Sequence, residues 1–183
     1  NLSPPGQRTI VSGTGPLVFF VASEIRRLGG TVAAVVTPNT RRDWVAKLPA
    51  LARRVDLALR GALWIAHLMM NRVPIFWGCS VVSVEGVARV EGAKIQKLDA
   101  NWAPKDETWS IDADSLCLGH GLIPSIEAPQ LSGITISYRS DLGGWVPDIG
   151  EDGATSVEGV FLCGDGTGIR GAAAAELHGT LAG

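Results

Sequence analysis

Apolar and polar positions follow two rhythms along the chain, and the change comes near residue 73. Residues 8–13 (RTIVSG) are a short β-branched apolar run closed by glycine. Residues 16–28 (PLVFFVASEIRRL) then carry apolar side chains at helical spacing, which predicts strand, tight turn and helix. Gly29-Gly30 ends that helix, and TVAAVVT at 31–37 is the continuous apolar run of a strand covered on both faces in a parallel sheet. The opening is therefore a βαβ unit. Residues 41–71, rich in Ala, Leu and Arg, predict one or two helices with a break near Pro49 and a soft point at Gly61, and Met69 and Met70 read as core filler.

From Val73 the runs shorten. VPIFWG predicts a strand, and SVVSVEG, VARVEG and AKIQKLDA, separated by Gly-containing turns, predict an antiparallel meander. WAPKDETWSIDADS at 102–115 is polar and predicts a loop leading into a short strand, and SLCLGHGLIPS at 115–125 a strand followed by a Gly/Pro turn. ITISYRS, DLGG and WVPDIG read as surface segments around a tight turn. GVFLC at 159–163 predicts one more buried strand, and GAAAAELHGTLAG a helix by propensity. The fold class is α/β, a Rossmann-like nucleotide-binding lobe with an antiparallel meander, followed by a C-terminal segment of different texture.

Composition narrows the function classes. Across 183 residues, 16 Lys+Arg stand against 18 Asp+Glu, a formal net charge of −2, which argues against a nucleic-acid binder. Hydrophobic residues at 46% and charged residues at 19% place the chain with compact globular proteins. Cys79, Cys117 and Cys163 are far apart in apolar runs without any CxxC, so they read as reduced, mostly buried thiols of a cytoplasmic protein. His67, His120 and His178 form no metal-ligand spacing. Asp112 and Asp114 fall on an alternating segment and read as solvent-facing rather than as an acid–base pair, and no metal ligand is assigned. The six tryptophans (44, 64, 77, 102, 109 and 145) read as core or subunit-interface anchors. No apolar run approaches the roughly 20 residues of a membrane span, and residues 57–70 are interrupted by Arg60 and His67. The chain opens with Asn and stops partway through a helix, which reads as a piece of a longer protein.

Two constellations carry chemistry. Gly13, Thr14, Gly15, Pro16 and Leu17 lie between strand and helix, where glycines let the backbone approach a phosphate and the helix N-terminus stabilises its charge. The G-x-G-x-x-G pattern lacks its third glycine, because Val18 stands there, and the next strand ends at Thr37 where a ribose-binding acid is expected. Arg41 and Arg42 follow, either as acceptors of a nucleotide phosphate or as solvated charges. The second constellation is TSVEGVFLCGDG at 155–166, in which Gly164, Asp165 and Gly166 precede a small-residue helix. There Asp165 either meets ligand hydroxyls or caps the helix.

The order GTGPL, strand, meander, LGHGLIPS, DLGGWVP and TSVEGVFLCGDGTGIRGAAAA resembles the FAD/NAD(P)-binding flavoproteins related to pyridine nucleotide-disulfide oxidoreductases. More narrowly, it is similar to the A or alpha subunits of opine oxidases, dye-linked proline and hydroxyproline dehydrogenases, and the hydrogen cyanide synthase B subunit. The resemblance implies that Gly164, Asp165 and Gly166 bind FAD and that Gly13 to Leu17 bind a nucleotide phosphate. Residues 7–120 would be the inserted NAD(P)-type lobe and residues 121–183 the C-terminal, incomplete portion of the FAD lobe, joined through Gly121 to Pro124. Such relatives begin with a separate FAD motif ahead of the point matching Asn1, and many continue into a cysteine-bearing domain that holds an iron–sulfur cluster. The implied activity is that of an FAD-dependent oxidoreductase subunit of the opine/amino-acid oxidase group. A second oxidase or dehydrogenase subunit would be its partner and would hold the amine-oxidising flavin, so the resemblance implies no catalytic residue in this chain. An amine or amino acid would be the substrate, and membrane association would come only through partners. The inserted lobe would take NAD(P) or another adenine nucleotide. Two alternatives stay open, an NAD(P)H-dependent flavin reductase and a non-catalytic adenine-nucleotide-binding or assembly lobe.

Overall fold

The computed structural model describes residues 3–46 and 55–182; the helix break expected near Pro49 lies outside them. The chain divides into two compact units, Asn1–Gly121 and Leu122–Gly183.

In the first unit, β1 (Arg8–Gly13), α1 (Leu17–Arg27) and β2 (Thr31–Thr37) form the βαβ opening, followed by α2 (Arg41–Ala46), α3 (Val55–Met70) and β3 (Ile75–Trp77). With β7 (Ser115–Gly119) these strands make a four-stranded parallel sheet in the order β3-β2-β1-β7. β1 and β2 are central, and their near-continuous apolar sequence follows from burial on both faces. One face packs Val11, Val32 and Val35 against Val18, Phe19, Ala22 and Ile25 of α1 and Leu68 of α3. The other packs Ile10, Ala34 and Val36 against Cys79, Ala93 and Ile95 of the second sheet. That sheet is antiparallel, with β4 (Cys79–Glu85), β5 (Gly92–Leu98) and β6 (Pro104–Asp112) in order. Lys97 ties the two sheets, its ammonium donating to the Trp77 carbonyl at 2.8 Å.

Three details depart from the sequence reading. Met69 and Met70, expected as core filler, are both exposed at the end of α3, on the side of the helix away from the core. VARVEG is the turn joining β4 and β5 rather than a strand of its own, and Val87 is fully exposed at its tip. β6 is a nine-residue strand, nearly all exposed, where a loop and a short strand were expected. As an edge strand it is polar over most of its length, with Ile111 packed against the inter-sheet core and Trp109 against Phe76. Among the tryptophans, Trp44, Trp64 and Trp77 pack against the helix-side core, whereas Trp102 and Trp145 are exposed.

The second unit holds α4 (Glu127–Leu131), a hairpin of β8 (Ile136–Arg139) and β9 (Gly144–Pro147), a 3₁₀ turn at Gly164–Thr167 and α5 (Ala172–Ala182). The expected buried strand at 159–163 is not formed. Phe161 and Cys163 are exposed, and the segment makes short contacts only: a bridge between Ala154 and Phe161, the Leu162 amide donating to Gly153, the Val160 carbonyl accepting the Thr155 amide and the Val160 amide donating to Val157. An apolar run becomes a buried strand only where neighbours take its N–H and C=O groups along its length. Among the described residues no ladder does so here. Cys79 is buried and Cys117 half-buried, so the exposed Cys163 also departs from the expectation for the thiols.

Candidate functional site

The turn after β1 lies at the C-terminal edge of the parallel sheet, where ligands of open α/β sheets bind. Gly13 is required by packing, since a Cβ there would collide with the Gly119 carbonyl group at the end of β7. The Thr14 amide donates to that same carbonyl oxygen at 2.9 Å, fixing the start of the turn. Gly15 adopts φ +75°, and a Cβ on it would meet nothing within 4 Å, so the turn is left-handed and open on that side. Pro16 is the N-cap of α1 and brings no side-chain acceptor, and the first turn of the helix carries no acidic residue. The positive end of α1 is thus left without an internal anion. Val18, at the place of the missing third glycine, is buried among Val11, Phe19 and Val35, and its bulk serves the core.

Two residues outside the GTGPL loop complete this turn. One is Gly119, in the LGHGLIPS segment, through the contact with Gly13 and Thr14. The other is Asn39, two residues beyond β2, whose Oδ1 accepts the Gly15 amide at 3.4 Å and the Thr37 hydroxyl at 3.5 Å. The usable signal for Asn39 is its place, since loops leaving the C-terminal ends of adjacent strands line one crevice. Thr37, where an acid was expected, is fully buried. Arg41 and Arg42 are exposed at the start of α2, and the Arg41 guanidinium sits 5.9 Å from the Trp77 ring centroid. Thr40 and Asp43 cap that helix reciprocally, with Asp43 accepting the Thr40 amide at 2.6 Å and the Thr40 hydroxyl accepting the Asp43 amide at 3.2 Å.

In the second unit Gly164, Asp165 and Gly166 form the 3₁₀ turn ahead of α5. The turn is closed by the Thr167 hydroxyl donating to the Gly164 carbonyl at 2.8 Å. Gly164 is left-handed at φ +78°. Asp165 Oδ1 is buried and has no hydrogen-bond partner. A buried acceptor without a donor costs about 1–3 kcal/mol, more when charged, so this oxygen suits a donor brought by a ligand. His178 lies 3.4 Å from the Thr167 hydroxyl and does not reach Asp165.

The other candidate side chains have structural partners. Asp114 accepts the Gln7 and Arg8 amides at 2.8 and 2.9 Å, and these bonds hold its carboxyl below the usual range. It fastens the chain entering β1 and is no acid–base partner of Asp112. His67 Nδ1 meets the Ser23 hydroxyl at 2.7 Å and pins α3 to α1. Burial pushes the Cys79 and Cys117 thiols up. Among the described residues, no three His, Cys, Asp or Glu side chains converge as metal ligands, and no helix is long and apolar enough to cross a membrane.

The family model for pyridine nucleotide-disulphide oxidoreductases matches residues 1–179. The chain belongs to this family. It is 28% identical over 175 residues to hydrogen cyanide synthase subunit HcnB of Pseudomonas aeruginosa, a match that spans 95% of this chain and 38% of that protein. One subunit of the opine oxidase of Rhizobium meliloti is 25% identical over 181 residues, which span 97% of this chain and 33% of that protein. The chain therefore spans between a third and two-fifths of the length of these relatives. Among solved structures, thioredoxin reductase from T. acidophilum superposes with a TM-score of 0.63 at 19% identity, covering 96% of this chain and 50% of that one. L-proline dehydrogenase from P. horikoshii superposes with a TM-score of 0.56 at 20% identity, covering 97% and 25%. These likenesses carry the fold, mixed α/β with a parallel sheet and a smaller antiparallel sheet.

Proposed function

We propose that the chain is the nucleotide-binding and flavin-contacting portion of an FAD-dependent oxidoreductase subunit of the opine and amino-acid oxidase group. The observation that carries this reading is the buried, unpartnered Asp165 Oδ1 in the Gly164–Thr167 turn. In this reading residues 121–183 belong to the FAD lobe, Asp165 accepts hydrogen bonds from flavin-side hydroxyls, and Gly164 and Gly166 keep the backbone free of side chains around it. Residues 7–120 form a second nucleotide lobe, with Gly13 to Leu17 and the N-terminus of α1 facing the phosphates of NAD(P) or another adenine nucleotide. When bound, FAD supplies the two-electron redox chemistry; in this reading the chain's own residues bind and orient, and none of the described ones is assigned as an acid or base.

The whole protein then passes electrons between flavin, an acceptor and a second subunit, with an amine or amino acid oxidised by the complex in the cytoplasm. The outward side of α3 supports a partner, because Leu59, Leu63 and Met70 are each more than half exposed there. The relatives are themselves named as subunits.

The test is flavin content of the complete protein. A hydrogen bond to a charged acceptor contributes about 1.5–3 kcal/mol, so Asp165→Ala is expected to weaken flavin binding roughly tenfold to a hundredfold. The visible flavin absorbance of the purified variant relative to its protein absorbance reads this. Unchanged occupancy removes Asp165 from the flavin site. Bleaching of that band by NADPH without an amine substrate would favour the flavin-reductase reading instead.

A further inference from the structure

Asn39 joins the ends of three parallel strands. Its side-chain Oδ1 accepts the Gly15 amide of the turn after β1 and the hydroxyl of Thr37 at the end of β2. Its own amide donates to the Thr37 hydroxyl at 3.4 Å, and its carbonyl accepts the Gly78 amide beyond β3 at 3.2 Å. Thr37 is fully buried, which anchors this knot to the core of the sheet. Gly15 is the open point of the turn, with free space where a Cβ would stand. The amide on which a phosphate would draw is thus already held, at a long 3.4 Å, by a neutral acceptor.

We infer that Asn39 is a positioning residue for phosphate binding. Its carboxamide holds the Gly15 turn in shape while no anion is present, and it yields that amide to a nucleotide phosphate because the bond is long and uncharged. A neutral acceptor is the essential property. A carboxylate of the same size would hold the amide more firmly and repel the phosphate, whereas a methyl group would leave the turn unheld. The inference rests on the nucleotide reading of the first unit and adds to it the residue that sets the turn.

The experiment measures two quantities on the complete protein and on Asn39→Asp and Asn39→Ala. One is ADP affinity by calorimetry, and the other is amide hydrogen exchange across residues 12–18 without ligand. Asn39→Ala is expected to speed exchange of the turn and to weaken ADP about tenfold, which converts to roughly 1.4 kcal/mol. Asn39→Asp is expected to keep exchange as slow as in the parent and to weaken ADP still more. A residue with a merely structural role would move both readouts together. If the parent binds ADP and either variant binds it equally well, or if both variants loosen the turn, the positioning role is overturned while the nucleotide reading stands. If the parent binds neither ADP nor NADPH, the nucleotide reading falls and this inference falls with it.

Discussion

The two units solve the problem of burying apolar surface in opposite ways. In residues 1–121 the parallel sheet is covered by helices on one face and by the antiparallel sheet on the other, so Ile10, Phe19, Val35, Val36 and Ile95 are shielded from water almost completely. Among the described residues of 122–183 the buried apolar side chains are Ile134, Val146, Pro124, Pro129 and Pro147, while Leu122, Ile123, Leu131, Tyr138, Trp145 and Phe161 face solvent. The first unit is held by its core. The second is held by turns, such as the Ser156 hydroxyl accepting the Thr135 amide at 2.9 Å and the Leu142 carbonyl accepting that of Ile169 at 2.9 Å. Hydrogen bonds of this kind contribute about 1 kcal/mol each, against about 25 cal/mol per Å² for buried apolar surface, so the second unit holds its shape with less in reserve.

Substitutions can break or sharpen that contrast. The largest effect is expected at Gly13→Ala, whose new Cβ would collide with the Gly119 backbone and force β1 and β7 apart. Urea unfolding should show a loss of about 4 kcal/mol or more. Gly15→Ala, two residues on, meets no neighbour and bears only the left-handed strain of about 1–2 kcal/mol. Equal losses at the two positions would contradict the close approach of the strand ends.

Next in size, Ile10→Ala should cost about 2–5 kcal/mol, because Ile10 is fully buried between the two sheets. Phe161→Ala, at a position 55% exposed in the second unit, should cost about 0.5 kcal/mol. A large loss at Phe161 would mean that the second unit has a core after all.

A smaller effect concerns pH. The Gln7 and Arg8 amides depress the folded pKa of Asp114, so its contribution is fully present above the ordinary carboxylate pKa. It fades as pH falls through the lower folded value. Asp114→Asn should therefore destabilise the first unit at pH 7 and have little effect at pH 2, as read by thermal melts at both. The smallest effect is kinetic. At pH 8 iodoacetamide should alkylate the exposed Cys163 first and Cys79 last, since Cys79 is both buried and shifted toward the neutral thiol. Peptide mass spectrometry over time would show the order.

The same contrast explains what was legible in the sequence. β1, α1 and β2 were readable to within a residue because burial on both faces of a parallel sheet leaves continuous apolar runs, and local periodicity then matches the tertiary environment. GVFLC carries the same kind of run, yet strand formation depends on neighbours that residue types alone do not reveal. VARVEG misled for a related reason, because Val87 and Val90 look like strand residues although Gly86, at φ +125°, turns the chain there. In the candidate site, the glycines of both turns stand out as motifs. Asn39 does not, and LGHGLIPS marks Gly119 without its contact to Gly13, because both roles arise only when separate strand ends are brought side by side.

The contact between the ends of β1 and β7 also sets unequal rules for how the protein can drift over generations. A Cβ at Gly13 strikes backbone, which cannot swing aside, while a Cβ at Gly119 would meet nothing within 4 Å. One contact therefore freezes one of its two glycines and leaves the other free to change. A descendant that has lost glycine at position 13 must first have moved its seventh strand, whereas alanine at position 119 can come and go without leaving a trace in the fold.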